Sequence, residues 1–118
     1  MSDSTPSVSS AGDQSGSNWV ERFVLFYDSP ESSRARAQEY FADHNSYADE
    51  FCSRRPGELV MIGPFPEAED GQAGAMSIFT SYDAAVAFAS SDPFVLNNVV
   101  AMWRIRLWLV SGEKGGCS

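Results

Sequence analysis

The one histidine in the 118-residue chain, His44, is the side chain best suited to carry a proton near neutral pH. It falls on an apolar stripe in which Ala37, Tyr40, Phe41, His44, Ala48 and Phe51 recur at three- and four-residue spacing. Alone, such a histidine reads as a core residue with one satisfied hydrogen bond. A chemical reading needs a second titratable group within its reach. Asp92 precedes Pro93, and proline disfavours helical backbone at the residue before it, so Asp92 is expected to end a helix. Its carboxylate would then meet the negative end of a helix dipole, at a local cost. Alone, Asp92 reads as a turn former. Cys52 and Cys117 with a lone histidine do not make a zinc site. The chain has no GxGxxG, GxxxxGK, GxSxG or HExxH pattern, so neither a metal nor a motif-bound cofactor is expected.

The elements that must position these groups follow from the hydrophobic pattern. Trp19 to Tyr27 reads as a first strand, apolar on both faces from Phe23 and therefore central in a sheet. Asp28-Ser29-Pro30 closes it, with Ser29 as an expected cap and Pro30 as the first residue of a helix running from about Glu31 to Cys52. Arg54-Arg55-Pro56-Gly57 ends that helix. Leu59 to Ile62 forms a short strand stopped by Gly63-Pro64, and an acidic loop, Glu67 to Gly74, leads to a third strand, Ala75 to Thr80. Ser81 caps a second helix with Asp83 in its first turn and Ala85, Phe88 and Ala89 on its inner face. After Asp92-Pro93 and a loop holding Asn97-Asn98, the fourth strand alternates. Val99, Ala101, Trp103, Ile105, Leu107 and Leu109 make one apolar face, while Met102, Arg104, Arg106 and Trp108 make the other.

Strand, helix, strand, strand, helix, strand is the ferredoxin-like α+β order: a four-stranded antiparallel sheet with both helices on one face. The helix-free face would carry Met102 and Trp108, which is too apolar for open water and points to a second subunit. Arg104 and Arg106 on that face are expected to find carboxylates, across the interface among other places.

Composition sets the outer bounds. An apolar fraction of 43% suits one globular domain, expected over residues 19–110, and a net charge of −8 argues against nucleic acid. Residues 1–18, rich in Ser, Gly, Pro and Asp, are expected to be a disordered leader, and 111–118 a flexible tail. No secretory signal and no membrane-spanning run is recognised, and two unpaired cysteines suit a cytoplasmic setting.

The residues resemble those of the YciI-like, or YCII-related, family of small α+β proteins. The likeness rests on His44, the run LVMIGP at Leu59 to Pro64, Ala84-Ala85 and Asp92-Pro93-Phe94-Val95, and it covers Phe23 to Trp108. Between Phe51 and Gly57 the chain is two residues longer than the family pattern, which is expected to lengthen the turn after the first helix and could alter the rim of a pocket. The resemblance implies a dimeric α+β barrel with His44 and Asp92 as an active-site pair. Gly63, Pro64 and Phe94 are the expected pocket lining. It also implies lyase- or isomerase-type acid/base chemistry, without a cofactor, on a small molecule, cyclic or aromatic ones included. The alternative is a non-catalytic dimeric module that binds a small ligand or a protein, and a third reading is a dimer in which His44 is merely packed. A concave pocket reached by the pair separates these readings.

Overall fold

The computed structural model describes residues 18–67, 69 and 71–112, so the expected leader up to residue 17 and most of the expected tail lie outside the described residues. Four strands, β1 (Val20–Asp28), β2 (Leu59–Pro64), β3 (Ala75–Phe79) and β4 (Met102–Val110), form one antiparallel sheet in the order β2-β3-β1-β4. Between them run α1 (Glu31–Arg34), α2 (Ala37–Arg54), α3 (Tyr82–Ser91) and α4 (Pro93–Leu96). The two long helices occupy the positions expected of a ferredoxin-like fold, and β1 is central as its two-sided apolar run requires.

Register assigns the faces. Leu25 pairs with Ser77 and Ile105, and Tyr27 with Ala75 and Trp103, on the helix side. There Leu25, Phe79 and Phe88 are completely buried and seed the core with Phe51, Ala84, Ala85, Ala89 and Val100. The four buried positions of α3, Ala84, Ala85, Phe88 and Ala89, explain its close approach: the alanines let the helix sit down on the sheet while Phe88 projects into the aromatic rings of α2. Phe88 lies 5.1 Å from Tyr47, 5.2 Å from Phe51 and 5.4 Å from Phe79, centroid to centroid. Tyr47 also donates its hydroxyl to the carbonyl of Phe88.

Several local expectations change. The first helix is two: it breaks at Ala35-Arg36 after two serines, which are weak helix formers, and Arg36 reaches across to the carbonyl of Asn97 at 2.9 Å. Ser29 is no cap; Pro30 occupies the capping position and no side chain caps α1. Ser81 does cap α3, accepting the N–H of Ala84 at 3.1 Å. Gly63-Pro64 continues β2 instead of stopping it, because β2 is an edge strand and Pro64 needs no outward N–H partner. The fourth strand starts at Met102, since Val99 and Val100 turn inward and their N–H groups bond the carbonyl of Phe94.

The stretch after Phe51 is part helix and part turn. α2 runs on through Arg54, and Arg55 then clamps the turn by pairing with Asp83 at 2.8 Å. This lies about 16 Å along the helix from His44, at 1.5 Å per residue, so it does not alter the rim around the histidine. On the helix-free face, Arg104 finds its carboxylate within its own chain, Asp28 at 2.9 Å, and packs over the ring of Phe26. Met61, Met102 and Trp108 are exposed there, while Val24 and Ile78 beneath them are buried. No helix among the described residues is long and apolar enough to cross a membrane.

Candidate active site

Asp92 ends α3 and simultaneously begins α4. Its extended backbone, imposed by Pro93, turns the carboxylate back to accept the N–H of Phe94 at 3.0 Å, a capping bond. The cost expected from the dipole of α3 is thus offset by the cap of α4. Four residues before it, Phe88 faces α2, so the same face of α3 carries Asp92 toward His44.

The carboxylate is fully buried and three donors converge on it. His44 Nδ1 lies 2.9 Å from Oδ1 and 3.0 Å from Oδ2, and the Tyr27 hydroxyl donates to Oδ2 at 2.7 Å. One donor comes from β1, one from α2 and one from α4. An ionised carboxylate, which only accepts, suits this set. With the carboxylate as acceptor, Nδ1 of a neutral His44 is the N–H nitrogen and Nε2 is the base. The ring is fixed further by Phe94, which stacks on it at 4.3 Å and 11°.

His44 lines a cavity of about 350 Å³ with Phe41, Ile62, Gly63, Pro64, Ala75, Met76 and Phe94, together with Tyr27, Ala37, Asn45 and Ser77. All three residues expected as lining, Gly63, Pro64 and Phe94, are there. Asp92 is not: it stands behind the histidine, out of contact with the cavity. Nε2 has no hydrogen-bond partner among the described residues and is not an occluded atom, so it is the nitrogen left for whatever enters. No lysine or arginine lines the cavity, and no group of three or more metal-ligating side chains occurs among the described residues.

Sequence reasoning missed Tyr27, Ser77 and Asn45. Tyr27 looked like one more apolar residue of a central strand, and only the register beside Asp92 reveals its hydroxyl as a donor. Burial, reinforced by the Asp92 charge and the hydrogen bond to it, pushes that hydroxyl far above the ordinary tyrosine value of 10.0. Burial first, and the Asp92 charge second, push Tyr47 in the same direction.

No protein-family model matches the chain, and no curated protein matches it. Among solved structures it is similar to 5-chloro-2-hydroxyhydroquinone dehydrochlorinase (TftG) from Burkholderia phenoliruptrix AC1100, in complex with 2,5-dihydroxybenzoquinone. That likeness has a TM-score of 0.58 at 20% identity, over 74% of this chain and 92% of the other. SnoaB from Streptomyces nogalater, a cofactor-independent oxygenase, gives a TM-score of 0.43 at 21% identity, over 79% of this chain and 94% of that one. The dehydrochlorinase comparison establishes the fold at this level of identity.

The Tyr27 hydroxyl makes stability fall in alkali. The folded protein holds the proton that an unfolded chain releases near about pH 10, so this contribution is complete below that pH and is lost above it. The urea midpoint is expected to fall between about pH 9 and about pH 11, and less steeply in Tyr27→Phe. An identical slope in the variant would show that the hydroxyl is not held as described.

Proposed function

We propose that this chain is a YciI-like enzyme that moves protons on a small, oxygenated, cyclic or aromatic molecule, with His44 as general base and acid and Asp92 as the residue that orients it. The observation that carries the reading is the wiring of one imidazole. Nδ1 is tied to a buried carboxylate while the ring borders a mostly apolar cavity. A carboxylate there holds the tautomer and compensates the imidazolium when it forms. The fold shared with a dehydrochlorinase of a chlorinated hydroxyhydroquinone supports the same class. The absence of cationic lining favours a substrate held by shape and hydrogen bonds over one held by a phosphate.

In the simplest step, Nε2 takes a proton from a carbon beside a carbonyl. The C–H pair becomes the C=C bond, the carbonyl π pair moves to oxygen, and the imidazolium returns its proton to oxygen or to another carbon. On a chlorinated hydroxy-ring the imidazolium first protonates the chloride-bearing carbon as the adjacent hydroxyl gives up its proton and becomes a carbonyl. Nε2 then takes the proton of a second, conjugated hydroxyl, whose electron pair passes through the ring and expels chloride, leaving the quinone. Phe41, half-exposed at the start of α2, and Ile62 on the edge strand stand at the mouth and would limit water.

The test uses 2-hydroxyhydroquinone and its 5-chloro derivative, following deuterium uptake from D₂O into the ring and chloride release. Turnover is expected in the wild type, with a loss of about 10²- to 10⁴-fold in His44→Asn and a smaller loss in Asp92→Asn. Equal rates in wild type and His44→Asn would remove the histidine from the chemistry. Binding without turnover would instead make this a recognition pocket.

We further propose that the helix-free face is covered by a second copy of the chain, giving a homodimer. Phe26, Met76 and Trp108 border a shallow apolar depression of about 280 Å³ there, and Trp108 is 47% exposed. Light scattering is expected to give twice the 12.9 kDa chain mass, falling to one chain in Trp108→Glu. A wild-type mass of one chain at all concentrations would contradict this.

A further inference from the structure

Ser77 sits in the middle of β3 on the helix side, between Ala75 and Phe79. Its residue is only 3% exposed, and a polar group buried that far normally has a hydrogen-bond partner. Ser77 has no side-chain partner among the described residues. Its hydroxyl is nevertheless not an occluded atom, because the one such atom without a partner among the described residues is Arg55 Nη1. The opening it reaches is the cavity that His44 lines.

The other polar groups around that cavity are engaged or peripheral. The Tyr27 hydroxyl and His44 Nδ1 are both committed to Asp92, and Asn45 is exposed at the mouth. Apart from His44 Nε2, to which the proton transfer is assigned, Ser77 is therefore the uncommitted hydrogen-bonding group at the buried end. We infer that Ser77 is the specificity-determining residue of the site: its hydroxyl binds an oxygen of the ligand and so selects oxygenated rings over hydrocarbon rings of the same shape. A hydroxyl both donates and accepts, so either a phenolic OH or a carbonyl meets it. In the proton transfer proposed above, on which this assignment rests, a donor at that oxygen also stabilises the charge that develops there.

The experiment compares two uncharged rings of matched shape, hydroquinone and p-xylene, titrated into the full chain and followed by NMR. Ser77→Ala is expected to weaken hydroquinone about five- to tenfold, the size of one hydrogen bond, while p-xylene changes by less than about twofold. Ser77→Thr, which keeps the hydroxyl in a residue suited to a strand, is expected to retain the preference for hydroquinone. An equal loss of both rings in Ser77→Ala would make Ser77 a packing residue and overturn the assignment while leaving the cavity reading intact. A wild type that binds neither ring would overturn both.

Discussion

The buried Asp92 carboxylate is the constraint around which the rest of this structure is arranged. Removing a carboxylate from water costs several kcal/mol, and the loss is recovered only when good donors replace the solvent. Here the donors come from three separate elements: Tyr27 on β1, His44 on α2 and the Phe94 N–H on α4. Each must arrive within about 3 Å, so the carboxylate sets where the sheet, the long helix and the short helix meet. Losing one donor leaves a buried charge short of partners, and the cost of that exceeds the worth of an average hydrogen bond.

What delivers the donors is apolar packing. His44, Tyr47 and Phe51 recur along one face of α2, and all three meet Phe88 of α3. Interlocked rings leave little freedom for one helix to slide on the other, since interiors are packed close to crystal density. Phe94 then stacks on the imidazole, and its carbonyl is held by the N–H groups of Val99 and Val100. The histidine is thus clamped through its Nδ1 atom and its ring plane, which leaves one nitrogen for a ligand. The mostly apolar cavity also strengthens every electrostatic interaction within it, because little water competes.

The architecture was readable because its signals are local. The alternation of β4, the cap at Ser81 and the stop at Asp92-Pro93 each depend on a few neighbouring residues, and the element order then limits the topology. His44 and Asp92 each looked ordinary alone, and their pairing came from resemblance rather than from spacing. Gly63, Pro64 and Phe94 reached the lining by the same route. Tyr27 and Ser77 were illegible for a different reason. A strand's alternation assigns a side chain to a face but does not say which residue of a neighbouring element faces its polar atom. Tyr27 meets Asp92 across 65 positions of sequence, and Ser77 is notable only because no described residue bonds its hydroxyl. Helix ends were the other weak point, since the break at Ala35-Arg36 and the extension of α2 through Arg54 involve contacts with Asn97 and Asp83 that lie far along the chain.

The central claim is that Asp92 holds His44 with its proton on Nδ1 and its lone pair toward the cavity. Because the chain has a single histidine, ¹⁵N NMR of the ring nitrogens at mildly alkaline pH reads this directly, with no substrate required. The account predicts an N–H at Nδ1 and an unprotonated Nε2 in the wild type, with the population moving toward the Nε2–H form in Asp92→Asn. A wild-type protein in which the Nε2–H form already dominates would contradict it.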